Sequence, residues 1–180
     1  MGLLLSFSPF IAFALLERAF GPVAGLAAGA LVSAALVARE KWMLRRSPKL
    51  LELGSLALFA ALALVAAFGH FESSVIGVRL VVDSGLLLIA LLSLLLRRPF
   101  TLQYARERVT PEIAAKPGFF RSNVMITAAW TLAFAVMVLA DMAMLHGTQA
   151  AHRIGMIATF GALLGAFKFT SWYPRRHAKA

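Results

Sequence analysis

The stretch VIGVRLVVDSGLLLIALLSLLLRRP, residues 75–99, decides the fold. Between Val75 and Leu96 only Arg79 and Asp83 are charged. At about 1.5 Å of rise per residue, a helix of this length crosses the roughly 30 Å hydrocarbon core of a bilayer. Arg97 and Arg98 then reach the head-group level, and Pro99 stops the helix. The whole chain fits this reading. Of its 180 residues 61% are hydrophobic and 14% charged, with mean hydropathy +0.82, whereas a soluble domain carries roughly 25% charged residues to cover its surface.

Working outward, further apolar runs fall at 3–16, 23–38, 53–69, 123–145 and 154–172. They predict an all-α polytopic membrane helix bundle of about six transmembrane helices, forming one integral membrane domain over 1–180. The first two runs are short, are joined by ERAFGP, and the first contains Pro9, so a short hairpin is the alternative there. Lys and Arg orient the bundle. Arg39, Lys41, Arg45, Arg46 and Lys49 lie in one loop, Arg97, Arg98, Arg106, Arg108, Lys116 and Arg121 in another, and Lys168, Arg175, Arg176 and Lys179 at the C-terminal end. Only Arg18, Arg79 and Arg153 are left for the opposite side, so the positive-inside rule places both termini in the cytoplasm. The N-terminus MGLLLSFSPF lacks a basic n-region and a small-residue cleavage site, and no removed signal peptide is expected.

The absence of cysteine excludes disulfides, thiolate chemistry and Cys-type metal sites. No phosphate-binding glycine loop, nucleophile elbow or spaced His-Glu ligand set occurs, so no enzyme activity, cofactor or metal is expected. Intramembrane charge carries more information, because it is costly by about 2.5–3.5 kcal/mol at a helix centre. Arg79 and Asp83, four residues apart, share a helix face and can pair; Asp141 on the next membrane helix is expected near the same outer level. The outer turns add Glu17, His70, Glu72, His146 and His152. A structural Arg79–Asp83 pair with solvated turn residues competes here with a polar pocket, and a small transporter or proton-coupled channel would use Arg79, Asp83 and Asp141.

Gly21, Gly25, Gly29 and Ser33 recur every four residues, and Gly161 and Gly165 repeat the spacing on the last helix. Such small-residue faces admit close helix packing within the chain, with homo-oligomer formation as the alternative. Residues 97–121, RRPFTLQYARERVTPEIAAKPGFFR, read as a cytoplasmic amphipathic connector. Leu102, Ala105 and Val109 share a face flanked by Tyr104. Thr110, Pro111 and Glu112 restart a short helix that Pro117-Gly118 is expected to end. Its Arg97, Arg98, Arg106 and Arg108, with Tyr104, are the expected contacts for anionic membrane lipids or a protein partner, in preference to nucleic acid.

The layout resembles the bacterial intracellular septation protein A family. The matching pieces are FSPFIAFALLERAFGPVAGLAAGALVSAALVA (7–38), VIGVRLVVDSGLLLIALLSLLLRRPF (75–100) and RSNVMITAAWTLAFAVMVLA (121–140), with Arg97, Arg98, Pro99, Asn123 and Trp130 at positions of the family's recurrent pattern. The resemblance implies a multi-pass protein of the bacterial inner membrane, taking part in cell-envelope biogenesis, membrane integrity and division beside envelope-synthesis and division proteins. It implies no catalytic set.

Overall fold

The computed structural model describes residues 2–68, 74–145 and 147–177. Every regular element among them is helical: α1 Gly2–Ser6, α2 Ser8–Phe20, α3 Pro22–Ala38 continued by a π-helix Arg39–Met43, α4 Leu50–Phe68, α5 Val75–Leu95, α6 Phe100–Arg106, α7 Pro111–Ala114, α8 Pro117–Leu145 and α9 Gln149–His177. Five segments are long and apolar enough to cross a membrane: Pro22–Met43, Leu50–Phe68, Val75–Leu95, Pro117–Leu145 and Gln149–Pro174. The side chains follow the same logic. Leu31, Phe68, Leu95 and Ile157 are each at least 72% exposed, while Ser33, Ser55, Ser93, Thr127 and Asp141 are buried. Lipid accepts apolar surface but cannot satisfy polar groups, so polar side chains turn inward and leucine outward. The fold is that of a multi-pass helical membrane protein.

Two expectations are corrected at the N-terminal end. The first run does not form one helix, because α1 ends at Ser6 and α2 restarts after Phe7 with Pro9 in its first turn. Proline lacks the N–H that a continuous helix needs and suits a helix start instead. At 13 residues α2 reaches only about 20 Å. The second run is longer than its apolar letters, since the π-helix carries α3 on to Met43. A third correction concerns Pro117-Gly118, which opens α8 rather than closing α7.

Contacts divide the chain into two compact units, residues 1–82 and 83–180, with the boundary inside α5. In the first, α2 turns back into α3 at Gly21, whose φ of +90° favours glycine. Phe13, Leu26, Phe59, Ala66, Val78 and Val82 form its core. Phe59 stacks in tilted fashion on Phe10 and Phe13, with ring centroids 5.0 and 5.7 Å away.

In the second unit α8 and α9 pack together, and α6 docks on α8. Thr101 donates its hydroxyl to the Asn123 carbonyl at 3.0 Å, and its oxygen lies 2.8 Å from the Thr127 hydroxyl. A hydroxyl has one proton, so Thr127 is the donor to Thr101. Further along, Trp130 Nε1 donates to Thr170 Oγ1 at 2.9 Å, linking α8 to α9.

Candidate functional site

The densest polar arrangement lies in the first unit, where α1, the π-helix and the start of α4 meet. Glu40 continues the buried face of α3 on which Gly29, Ser33 and Leu36 recur at helical spacing. Glu52 is the third residue of α4, and its Oε2 accepts the Lys49 backbone N–H at 3.3 Å. That is the acidic half of a capping box, which satisfies one of the open donors at a helix start. The Ser6 hydroxyl donates to Glu52 Oε1 at 3.1 Å, so α1 is held to α4. Between the acids, Lys49 Nζ stands 3.0 Å from Glu40 Oε1 and 3.9 Å from Glu52 Oε1. Arg39 Nη1 approaches Glu40 Oε1 at 3.7 Å from a half-exposed side chain. Ser6, Glu40, Lys49 and Glu52 are all buried.

None of these four was a sequence-based candidate. Lys49 counted toward the orienting positive charge, yet it is buried in an ion pair. The signal present in the sequence is the pair of acids, Glu40 and Glu52, inside an otherwise basic segment, together with the Lys49-x-x-Glu52 spacing.

The second unit carries the arginine rim. Arg97, Arg98, Arg106 and Arg108 are exposed around α6. Phe100, Thr101, Leu102 and Tyr104 anchor that helix by burial. Tyr104 is therefore corrected: at 4% exposure it packs inside the unit and offers no surface to lipid or partner. Amphipathic spacing identifies a buried face but not whether protein or lipid covers it. Beyond the rim, Thr110 precedes α7 as its N-cap. A hydrogen bond from the Thr110 side chain holds the exposed Glu112 carboxyl below its ordinary value.

The outer candidates are distributed over both units. Glu17 is buried on α2 and lies against α3, where a Cβ built at Gly25 would come 2.8 Å from the Glu17 Cβ. Arg79 is half-buried in the first unit; Asp83 and Asp141 are buried in the second. His152 makes a local contact, its Nδ1 lying 3.0 Å from the Thr148 carbonyl. His70, Glu72 and His146 lie outside the described residues. Among those described, no group of three or more His, Asp or Glu could hold a metal.

The small-residue faces separate. Gly25 and Gly29 are close-packing sites, a Cβ at Gly29 meeting the Phe59 ring at 2.5 Å, and Ser33 is buried on the same face. Among the described residues nothing lies within 4 Å of a Cβ built at Gly161 or Gly165, so the close packing within the chain expected there is not made. Comparison with protein-family models, curated proteins and solved structures finds no match to this chain.

Proposed function

We propose that this is a non-enzymatic protein of the bacterial inner membrane that acts by contact, holding anionic lipid head groups or a protein partner on the arginine rim around α6. The observation that carries the reading is the combination of four exposed arginines with a helix anchored by burial. Arg97, Arg98, Arg106 and Arg108 are held at fixed places beside membrane-crossing helices, where each cation near an anionic surface contributes about 1 kcal/mol. With α1 and α2 together as a sixth crossing, both termini lie in the cytoplasm and all three basic clusters share that side. The resemblance to the septation protein A family adds cell-envelope biogenesis and division as the process served, with envelope-synthesis and division proteins as partners.

The test is lipid retention. Replacing Arg97, Arg98, Arg106 and Arg108 with glutamine should lower the phosphatidylglycerol that co-purifies with the protein, measured against phosphatidylcholine by native mass spectrometry. Unchanged retention sinks the lipid-binding half of the proposal.

A proton-coupled channel is the second reading, favoured by the complete burial of Asp141. On the buried face of α8, however, Trp130, Phe134 and Met137 separate Asp141 from Thr127, an apolar interruption that favours contact over conduction. Proteoliposomes should show no proton flux that Asp141→Asn abolishes; a flux lost in that variant selects the channel.

A further inference from the structure

Helix α9 uses one side to pack on α8. A Cβ added at Gly155 would meet the Met144 side chain at 2.7 Å, and Thr170 Oγ1 accepts the Trp130 indole N–H. Thr159 and Ala166 are buried on that same side. At 3.6 residues per turn Gly161, Gly165, Lys168 and Trp172 fall on the opposite side. There Gly161, Gly165 and Lys168 are exposed and Trp172 is half-exposed. Of the five membrane-length segments, the one formed by α9 is the least buried.

This open side has a shape and a charge. A groove of about 490 Å³ is lined by Gly165, Lys168, Phe169, Ser171 and Trp172. Gly165 forms its floor, and the Phe169 and Trp172 rings, with centroids 6.1 Å apart, form a wall. The Ser171 hydroxyl donates to the Lys168 carbonyl at 2.9 Å and leaves the ammonium uncommitted. Lys168 is the only charged residue between Gly155 and Pro174, and no acid pairs with it among the described residues. Six residues, or about 9 Å, separate it from Pro174, where the membrane-length segment ends. Its four-carbon stem lies along apolar surface while the ammonium rises toward head-group level.

We propose that this groove binds an anionic phospholipid, with Lys168 at the phosphate and an acyl chain lying over Gly165 and Gly161. Charge selects lipid over a second copy of the chain. Copies of one membrane protein insert in the same orientation, so a two-fold pairing along this side sets each Lys168 near its own counterpart, with no acid on the face to separate them. An anionic head group supplies the missing opposite charge, and its acyl chain covers the glycine floor. The site is on a different helix from the arginines around α6 and stands independently of the contact proposed there.

The experiment uses the full chain in mixed phosphatidylglycerol and phosphatidylcholine bilayers, with a phosphatidylglycerol probe carrying a photoactivatable acyl chain at sub-saturating concentration. Peptide mapping scores labels on α9 separately from labels near α6, so either site fails or stands alone. Labels should fall between Gly161 and Trp172 and exceed those from the matching phosphatidylcholine probe. Lys168→Gln should lower them about fivefold, the weight of one cation at an anionic surface, and Lys168→Arg should keep them. Gly165→Leu retains the charge but fills the groove, and should lower them too. Equal labelling by the two probes overturns the proposal, as does labelling unchanged in Lys168→Gln or in Gly165→Leu. A second copy has its own signature: the chain has no cysteine, so Gly161→Cys would join two chains by a disulfide in the same bilayers if copies met along this side. That product also overturns the proposal.

Discussion

Arg45 and Arg97 have φ of 51° and 53°, in a region that costs a residue with a Cβ about 1–2 kcal/mol. Both close helix ends. At the end of α5, Arg97 N–H donates to the Leu94 carbonyl and Arg98 N–H to the Ser93 carbonyl, the paired bonds of a Schellman cap. Arg46 N–H reaches back to Glu40 in a similar way after the π-helix. Glycine is the residue such a cap favours, but arginine places a cation beside the negative end of the helix dipole and at the rim. Arg97→Gly should therefore raise thermal stability by about 1 kcal/mol while lowering anionic-lipid retention. A variant that loses stability shows that the side chain contributes more than the strained backbone costs. This conflict was not legible in the sequence, where Arg97 reads only as an interfacial charge.

At the scale of elements, the glycine stripes make opposite predictions. A Cβ at Gly29 would strike the Phe59 ring, itself wedged against Phe10 and Phe13, so Gly29→Ala should destabilise by about 1–3 kcal/mol through overpacking. Gly161→Ala meets open space and should be neutral or stabilising by up to about 1 kcal/mol through helix propensity. Unfolding in mixed micelles distinguishes the two. The identical spacing made these helices look alike in sequence; only their neighbours separate them. Helix α6 depends on the threonine relay to α8. Thr101→Val should cost about 0.6–1.7 kcal/mol, the range of hydrogen bonds between membrane helices, and should speed proteolysis between Arg106 and Pro117. Cleavage at the unchanged rate means that Phe100, Leu102 and Tyr104 hold α6 without the relay.

For the whole molecule, topology is directly testable because the chain has no cysteine. Single cysteines at Arg106 and Gly118 should react with an impermeant thiol reagent only from the cytoplasmic face, and one at Arg153 only from the other. Labelling of Arg106→Cys and Arg153→Cys from one face breaks the six-crossing arrangement. The sequence by itself determined that this is a helical membrane protein, where most crossings run and where its cations cluster. Length, hydropathy and proline position are local properties that lipid reads directly. It did not determine that Ser6 would meet Glu52 from 46 residues away, that Tyr104 would be covered by protein, or that Lys49 would be buried between two acids. Those outcomes belong to tertiary structure. In an apolar solvent, burial of a polar group is settled by which helix faces it and with what partner, and neither is encoded in local pattern.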